Sequence, residues 1–549
     1  MNPRLQTIKY IEGVQFDLCV IGGGATGAGC ALDAQLRGLR TLLVDGGDFA
    51  SGTSSASTKL VHGGVRYLEQ AVKTFDLAEY RMVQGALRER SYMLRNAPHL
   101  AHVAEFLVPV YSWFQATYFR IGLKIYDFLA GKKNLFPSKI LSREETLARL
   151  PGLKADGLYG AVAYADGQFD DARYGMALVR SFQAAGGKAL NYCRVENFLR
   201  SNAGRINGVE LHSTIGQTRL TIQAKSFVNA TGPFSDKLRR LANPATSPRL
   251  RPSKGAHLLF PAALFQGQDA LLVPETEDRR VIFAVPWQAR LLVGTTEDEA
   301  TPETKMTVTR DEAEYMLRQL NPYLSRPLRA EEAVSGFAGL RPLVAAGGDL
   351  HSTKELIRDH EVEVDGDSGL VSVLGGKWTT HRLMAEDAVN AVQRALGQAV
   401  TESPTKEHPL DGAAGYAPQL ADTLAKEHGL AIDTAKHLAS KFGANAIRVV
   451  ELTHGDANLR LPLVDGFPAL QAEVVYCARE ESAQTIEDVL ARRLGLQLYD
   501  WRASILAAPV VGELLGRELG WSEMEKSERV TRYAEKIRGF LRELGLSEA

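Results

Sequence analysis

Three glycines and one acid carry the most specific chemistry in this chain. The stretch "LCVIGGGATGAGCALDAQLRGLRTLLVD", residues 18–45, sets Gly22, Gly24 and Gly27 at the spacing G-x-G-x-x-G and ends on Asp45. Each glycine answers a need. Gly22 lets the chain turn sharply out of a strand, and Gly24 lets the backbone approach a pyrophosphate with no Cβ between them. Gly27 lets the following helix pack closely on the sheet. The first turn of that helix offers free N–H groups to phosphate oxygens. Asp45 stands where a carboxylate can accept both ribose hydroxyls. A plain strand–helix turn explains the glycines but not the acid, so the stretch reads as a dinucleotide site.

NAD enzymes and flavoproteins share this fingerprint, and three features favour FAD. A long Ser/Thr/Gly loop follows Asp45, "GGDFASGTSSASTKLVHGG", with the donors to wrap an extended cofactor. "VNATGPFSD" brings a second strand end, 229–232, towards the nucleotide. In "SVLGGKWTTHRLMAED", Gly375 and Gly376 close a strand and open a helix at about Thr379. A helix N-terminus carries about half a positive charge, which would stabilise the anion that a flavin becomes on accepting a hydride.

These groups need elements to hold them. Residues 16–45 read as a βαβ unit, and 70–100 read as helix. A helix–strand return lies at 170–190, and strand–turn–helix returns lie at 226–241 and 370–396. The region 250–340 is rich in short strands, 401–418 reads as a linker, and the rest is mostly helical. A chain of 549 residues suggests two to four domains. Lys+Arg is 64 against Asp+Glu 65, a net charge of -1 that gives no footprint for nucleic acid. The N-terminal stretch has no apolar core of signal-peptide length, and no apolar run reaches the roughly 18 residues of a membrane span. Cys19, Cys30, Cys193 and Cys477 form no CxxC pair, which argues against zinc and for a reducing cytoplasmic setting. No metal site is expected.

The chain resembles the FAD-dependent glycerol-3-phosphate dehydrogenases, the respiratory bacterial and mitochondrial type, within the D-amino-acid-oxidase-like flavoproteins. The resemblance rests on "VIGGGATGAG", "TSSASTKLVHGGVRYLE", "VNATGPF", "KGAHLLFP", "FAVPW", "LVGTTEDE", "SGFAGLRPL", "IRDH", "LGGKWTTHR" and "AREESAQTIEDVLARR". They occur in the family's order over most of the chain. Two departures stand out: Ala25-Thr26 where the family usually has the x-Asn of GGxNGAG, and His381 where it often has Tyr.

The resemblance implies an α/β fold in which a discontinuous Rossmann-like FAD-binding domain (1–95, 166–250 and 341–400) is interleaved with a β-rich substrate domain (96–165 and 251–340). A C-terminal helical domain (404–549) follows. It implies oxidation of sn-glycerol 3-phosphate to dihydroxyacetone phosphate, with electrons passed to a membrane quinone. Cofactor contacts are expected from Gly22, Gly24, Thr26, Gly27, Asp45, Thr53, Ser54, Ser57, Lys59, His62, Gly63, Gly64, Ala230, Gly232, Gly376, Lys377 and Thr379. Substrate contacts are expected from Arg66, Tyr67, Lys254 and Arg358. Arg341 and Lys377 are expected to bind anion or polarise the developing alkoxide. His257 is the expected general base, because an unperturbed histidine titrates near neutral pH. Three other readings remain. An oxygen-reducing oxidase of the same substrate tends to carry a middle insertion not found here. An amine or amino-acid oxidase needs one carboxylate-binding arginine rather than four cations. A flavin-binding interaction protein would leave the anion site without a use.

A quinone dissolves in lipid, so its reductase must reach a bilayer. The candidate contact is 113–140, where Tyr118, Ile121, Ile125, Phe128 and Leu129 share one helical face. Arg120, Lys124, Lys132, Lys133 and Lys139 face only Asp127, five positives to one negative in a near-neutral chain. Aromatics beside basic residues suit the anionic inner leaflet of the cytoplasmic membrane. An equal alternative is a helix packed on its own domain. The family often forms dimers, so a homodimer is a candidate assembly.

Overall fold

The computed structural model describes residues 3–64, 77–273, 276–278, 280–345 and 360–548. At the centre of the first sheet runs the strand Gln15–Ile21. It pairs in parallel with Thr41–Val44 on one side and Arg219–Asn229 on the other. Leu18, Cys19, Val20, Leu42, Leu43 and Val44 are fully buried, the continuous apolar pattern of parallel strands covered on both faces. Ile21 is in register with both Val44 and Asn229. The strands therefore end level, and the glycine turn, Asp45 and Ala230 emerge at one edge, where ligands bind in open α/β sheets. Val371–Gly375 extends the sheet in parallel with Arg219–Asn229. The helices Ala25–Leu36, Asp171–Ala184 and His381–Ala395 pack together over one face.

The second sheet is longer and mostly antiparallel. Its backbone is the pair Leu250–Pro261 with Ser335–Val344 and the pair Ala101–Val110 with Gly160–Phe169. Leu60–Val61, the end of the loop that leaves Asp45, pairs with Gly167 and Gln168. The loop is thus strung between the two sheets. The domain boundaries expected at 166 and 341 fall inside strands of this second sheet.

The C-terminal region is helical from Leu420 onward. It is not a separate body. Ala256, Leu258 and Val293 of the second sheet share one apolar core with Val489, Trp501 and Leu515. The backbone joins in, since the Trp501 amide donates to Val334 O at 3.1 Å and the Ser335 hydroxyl donates to Leu498 O. The stretch expected to be a linker is a bound strap. Ser403 donates to Asp33 Oδ1 at 2.5 Å, the Leu410 amide donates to Asn96 O at 2.8 Å, and Leu410 is buried. Its polar composition misled because those polar groups bond to neighbouring elements instead of water. The helix expected over 70–100 is seen as Leu77–Asn96, and 70–76 lie outside the described residues. All four cysteines are buried and free.

Trp501 is 1 % exposed in the core shared by the sheet and the helices. Trp501→Ala should cost about 3–5 kcal/mol. Differential scanning calorimetry should show one lowered transition covering both regions, and a transition confined to the C-terminal helices would contradict the shared core.

Candidate active site

The turn after Gln15–Ile21 shows why glycine is needed. Gly22 adopts φ +105°, and a Cβ there would lie 2.5 Å from Ala230 O. A Cβ on Gly27 would lie 1.7 Å from Gly22 O, so the helix packs directly on its own turn. Gly24 caps the helix with no side-chain bond, and the Ala25 amide donates to Ser54 Oγ at 2.9 Å. Asp45 receives the Gly23 amide on Oδ2 at 2.6 Å and the Gly47 amide on Oδ1 at 2.7 Å. Burial pushes its carboxyl up to about 6 against those two amides. Each oxygen keeps a second lone pair, and the side chain is half-buried rather than sealed. A helix start whose N-cap carries no side chain, a glycine cradle and an acid with acceptor capacity left fit the pyrophosphate and ribose of a dinucleotide.

The loop beyond Asp45 is held on every side. Thr53 donates to Leu340 O at 2.5 Å in the second sheet, and the Trp378 indole donates to Ser54 O at 2.8 Å. Ser57 donates through both amide and hydroxyl to Asp171 Oδ2. Lys59 is fully buried at φ +63°, a strained backbone for a residue with a side chain. Its ammonium meets Asp171 Oδ1 at 2.5 Å and Ser55 O at 2.8 Å and lies 4.8 Å from the Phe337 ring. The His62 amide donates to Thr379 Oγ1 at 3.3 Å, and the Gly63 amide donates to Tyr126 OH at 2.8 Å. Residues of two separated motifs, 53–63 and 378–379, therefore meet at this loop, while Ala230 lies at the glycine turn, its carbonyl against Gly22.

The second sheet brings Arg341 and His257 to one face. Ser253 pairs with Arg341, Gly255 with Gly339 and His257 with Phe337, and alternate residues share a face. Two glycines make the room. A Cβ on Gly255 would sit 2.3 Å from Arg341 Nη2, and one on Gly294 would sit 2.2 Å from the His257 ring. Arg341 Nη2 donates to Thr295 Oγ1 at 2.9 Å and Thr296 O at 3.2 Å. His257 Nε2 bonds Thr58 Oγ1 at 2.9 Å, its ring stacks on Phe337 at 4.7 Å, and Nδ1 has no partner among the described residues.

Two expectations need correction. Lys254 alternates to the opposite face and pairs with Glu312 Oε2 at 2.9 Å, away from Arg341 and His257. The argument that His257 titrates near neutrality does not hold. Burial, then the charges of Arg341 and Lys59, pushes it well below its ordinary value. The Lys377 ammonium lies 3.8 Å from Met82 Sδ. Thr26 Oγ1 lies 4.0 Å from Met384 Sδ, and Gly232 takes φ +56° at its turn. Gly376, at φ +88°, leaves its Cβ position to Met384. Arg66, Tyr67 and Arg358 lie outside the described residues. His381 bonds Trp378 O through Nδ1 at 3.0 Å, and burial pushes it down to about 4.

The sequence reading missed Asp171, Trp378 as a tie, and Tyr126. A doubled acid opening a helix, "FDDARYG", was the available signal for the first.

Residues 17–387 match the family model described as FAD dependent oxidoreductase, and 403–526 match the C-terminal domain of alpha-glycerophosphate oxidase. The rat mitochondrial glycerol-3-phosphate dehydrogenase is 38% identical over 96% of this chain and 74% of its own length. The Caenorhabditis elegans probable glycerol-3-phosphate dehydrogenase is 39% identical over 96% and 74%. The glycerol-3-phosphate dehydrogenase of Bacillus halodurans, solved with FAD, superposes with TM-score 0.80 at 30% identity, covering 99% of this chain and 97% of that one.

Gly27→Ala should drive a methyl into Gly22 O and distort the phosphate turn. The purified variant should lack flavin absorbance while keeping its far-ultraviolet circular dichroism, and a fully yellow variant would refute the cradle.

Proposed function

The chain belongs to the FAD-dependent glycerol-3-phosphate dehydrogenases, and from that premise we propose that it oxidises sn-glycerol 3-phosphate to dihydroxyacetone phosphate and delivers the electrons to a membrane quinone. The observation that carries the first half is that Arg341 and His257 share one face of the second sheet, with His257 against the loop that leaves the glycine turn. Gly22, Gly24, Gly27 and Asp45 would hold FAD, which would supply the hydride acceptor.

Arg341 is half-buried, and Thr295 and Thr296 fix the plane of its fork. It presents paired donors suited to a phosphate or a developing alkoxide. Lys377, also half-buried at the start of the turn Trp378–Thr380, adds a point charge. Arg66, Tyr67 and Arg358 complete the anion set by resemblance. His257 works as a neutral acceptor. In the tautomer whose Nε2–H donates to Thr58, the lone pair is left on Nδ1 to take the proton of the C2 hydroxyl. Burial, and then the two cations beside the ring, keep it unprotonated, and after proton transfer they favour release of the proton.

The test is anaerobic mixing with glycerol 3-phosphate while following the flavin absorbance, which should bleach. Arg341→Ala should lower kcat/KM roughly 10- to 100-fold with flavin content kept. Loss of flavin instead would make the residue structural. His257→Asn should lower the reduction rate on the order of 10²-fold or more and leave binding of phosphate inhibitors intact. The folded pKa of His257 lies below its ordinary 6.5. The pH–rate profile should therefore lack an inflection from this ring near 6.5. The stability contributed by the neutral ring is present above 6.5 and is lost as pH falls towards the folded value. A kinetic inflection near 6.5 that vanishes in His257→Asn would overturn this reading.

The second half of the proposal needs a lipid contact. No helix among the described residues is long and apolar enough to cross a membrane. The helix Trp113–Ala130 buries Ala116, Leu123, Tyr126 and Ala130 against the protein. It turns Trp113, Phe114, Tyr118, Ile121 and Phe128 outward, with Phe128 82% and Phe114 77% exposed. Ile125 and Leu129, expected on the outer face, are half-buried beside Val83 and Leu87. Arg120, Lys124 and Lys139 are exposed around the aromatic face, while Lys133 lies 4.5 Å over the Tyr92 ring. Outward aromatics ringed by cations favour the inner face of the cytoplasmic membrane, where each cation contributes about 1 kcal/mol. Replacing Phe114, Ile121 and Phe128 with Ser should reduce co-sedimentation with anionic liposomes and quinone reduction, and leave reduction of a soluble dye unchanged. Unaltered sedimentation would exclude this helix as the contact.

A further inference from the structure

Asp48 lies three residues beyond the ribose acid, and two arginines of the C-terminal domain hold it. Its Oδ2 accepts from Arg492 Nε at 2.6 Å and from Arg493 Nη1. Its Oδ1 accepts from Arg493 Nη2 at 2.9 Å and Asn191 Nδ2 at 3.1 Å. Asp48 and Arg493 are each 1 % exposed. Burial alone would raise the Asp48 carboxyl, and the Arg493 and Arg492 charges overcome that and hold it below its ordinary value.

Consecutive arginines reach one carboxylate because the turn Asp488–Arg493 is π-helical, with the Leu494 amide bonded to Val489 O at 2.9 Å. Such turns are rare and occur often at functional sites. The network continues without a break. Arg492 pairs with Asp488 at 2.5 Å, Asp488 accepts from Tyr192 OH at 2.5 Å, and the Tyr192 amide donates to Gly47 O at 2.7 Å. Arg493 also donates to Glu481 O at 2.8 Å, and Glu481 takes a two-pronged bond from Arg173 at 2.7 and 2.8 Å.

A buried network of this size contributes little net stability compared with an apolar core of the same shape, so its position is the informative fact. It grips the peptide whose other end, the Gly47 amide, orients the Asp45 carboxylate. Phe49, next in the chain, lies under Gly23, where a Cβ would meet its ring at 2.6 Å. The Ala50 amide returns to Gly23 O at 2.9 Å. The segment 45–50 is thus the floor of the nucleotide turn, and its buried charge is anchored from outside the FAD-binding sheet.

We propose that Arg492 and Arg493 are positioning residues for the adenosine half of FAD, so that docking of the C-terminal helices and cofactor binding are one coupled equilibrium. The proposal rests on FAD being the ligand of the glycine turn. Coupling of this kind is reciprocal, and it is tested from both sides. In full-length apoprotein, Arg492→Lys/Arg493→Lys keeps both charges but loses the forks. Its FAD Kd, read by quenching of flavin fluorescence, should rise roughly 10- to 100-fold. KM for glycerol 3-phosphate at saturating FAD should stay unchanged, because the arginines touch no part of that site. In the parent, hydrogen exchange at 488–493 should slow at least tenfold on adding FAD or ADP, relative to the distal helix Glu523–Leu544. An unchanged Kd with a lowered apoprotein Tm, or exchange at 488–493 indifferent to FAD, would reduce the arginines to a structural clamp. If the double variant fails to fold, the exchange measurement on the parent decides. A parent protein that binds no FAD at all would refute the cofactor reading instead.

Discussion

Charge taken out of water must find a partner, and in this molecule that requirement falls on the loop from Asp45 to Lys59. Lys59 and Asp171 neutralise each other at the loop's far end, and Asp48 meets Arg492 and Arg493 at the near end. Between these anchors the loop has little regular structure, so its side-chain and backbone polar groups are satisfied by whatever packs around it. The first sheet supplies the helix start at Ala25, the second supplies Leu340 O, and the turn before His381–Ala395 supplies Trp378. This one loop thus bonds at once to the helix that follows the first sheet's glycine turn, to the second sheet and to the C-terminal helical region.

That arrangement explains how the candidate chemistry is built from distant motifs. Strand alternation, not proximity in sequence, sorts the cations. Arg341 and His257 share a face because an even number of register steps separates them, while Lys254, in the same tetrapeptide as His257, is turned away to Glu312. Gly255 and Gly294 belong to this logic, since their missing side chains are the space that the guanidinium and the imidazole fill. The burial that gives His257 its place beside Lys59 and Arg341 also keeps it neutral.

The helix Trp113–Ala130 joins the outside of the molecule to this centre. Its inner face carries Tyr126, whose hydroxyl accepts the Gly63 amide and donates to Asp166, itself paired with Arg90. Its outer face exposes Trp113, Phe114, Tyr118, Ile121 and Phe128. A single helix thus packs on the loop at one side and leaves an exposed apolar surface on the other.

The sequence alone determined the local chemistry of the nucleotide turn. Glycines that must lack a Cβ, and an acid at the end of the next strand, obey constraints contained in about thirty consecutive residues. Period-two and longer periodic patterns likewise revealed the β-rich middle and the helical end. Only the tertiary structure decided which cations share a site, that the 401–411 stretch is a strap, and that Arg492 and Arg493 meet Asp48 across the chain. Those outcomes depend on strand register and on which buried charges must be paired, and both are settled by contacts between residues hundreds of positions apart. A sequence motif records a residue's type and its neighbours in the chain. The face it occupies and the partner it needs exist only once the sheets are packed.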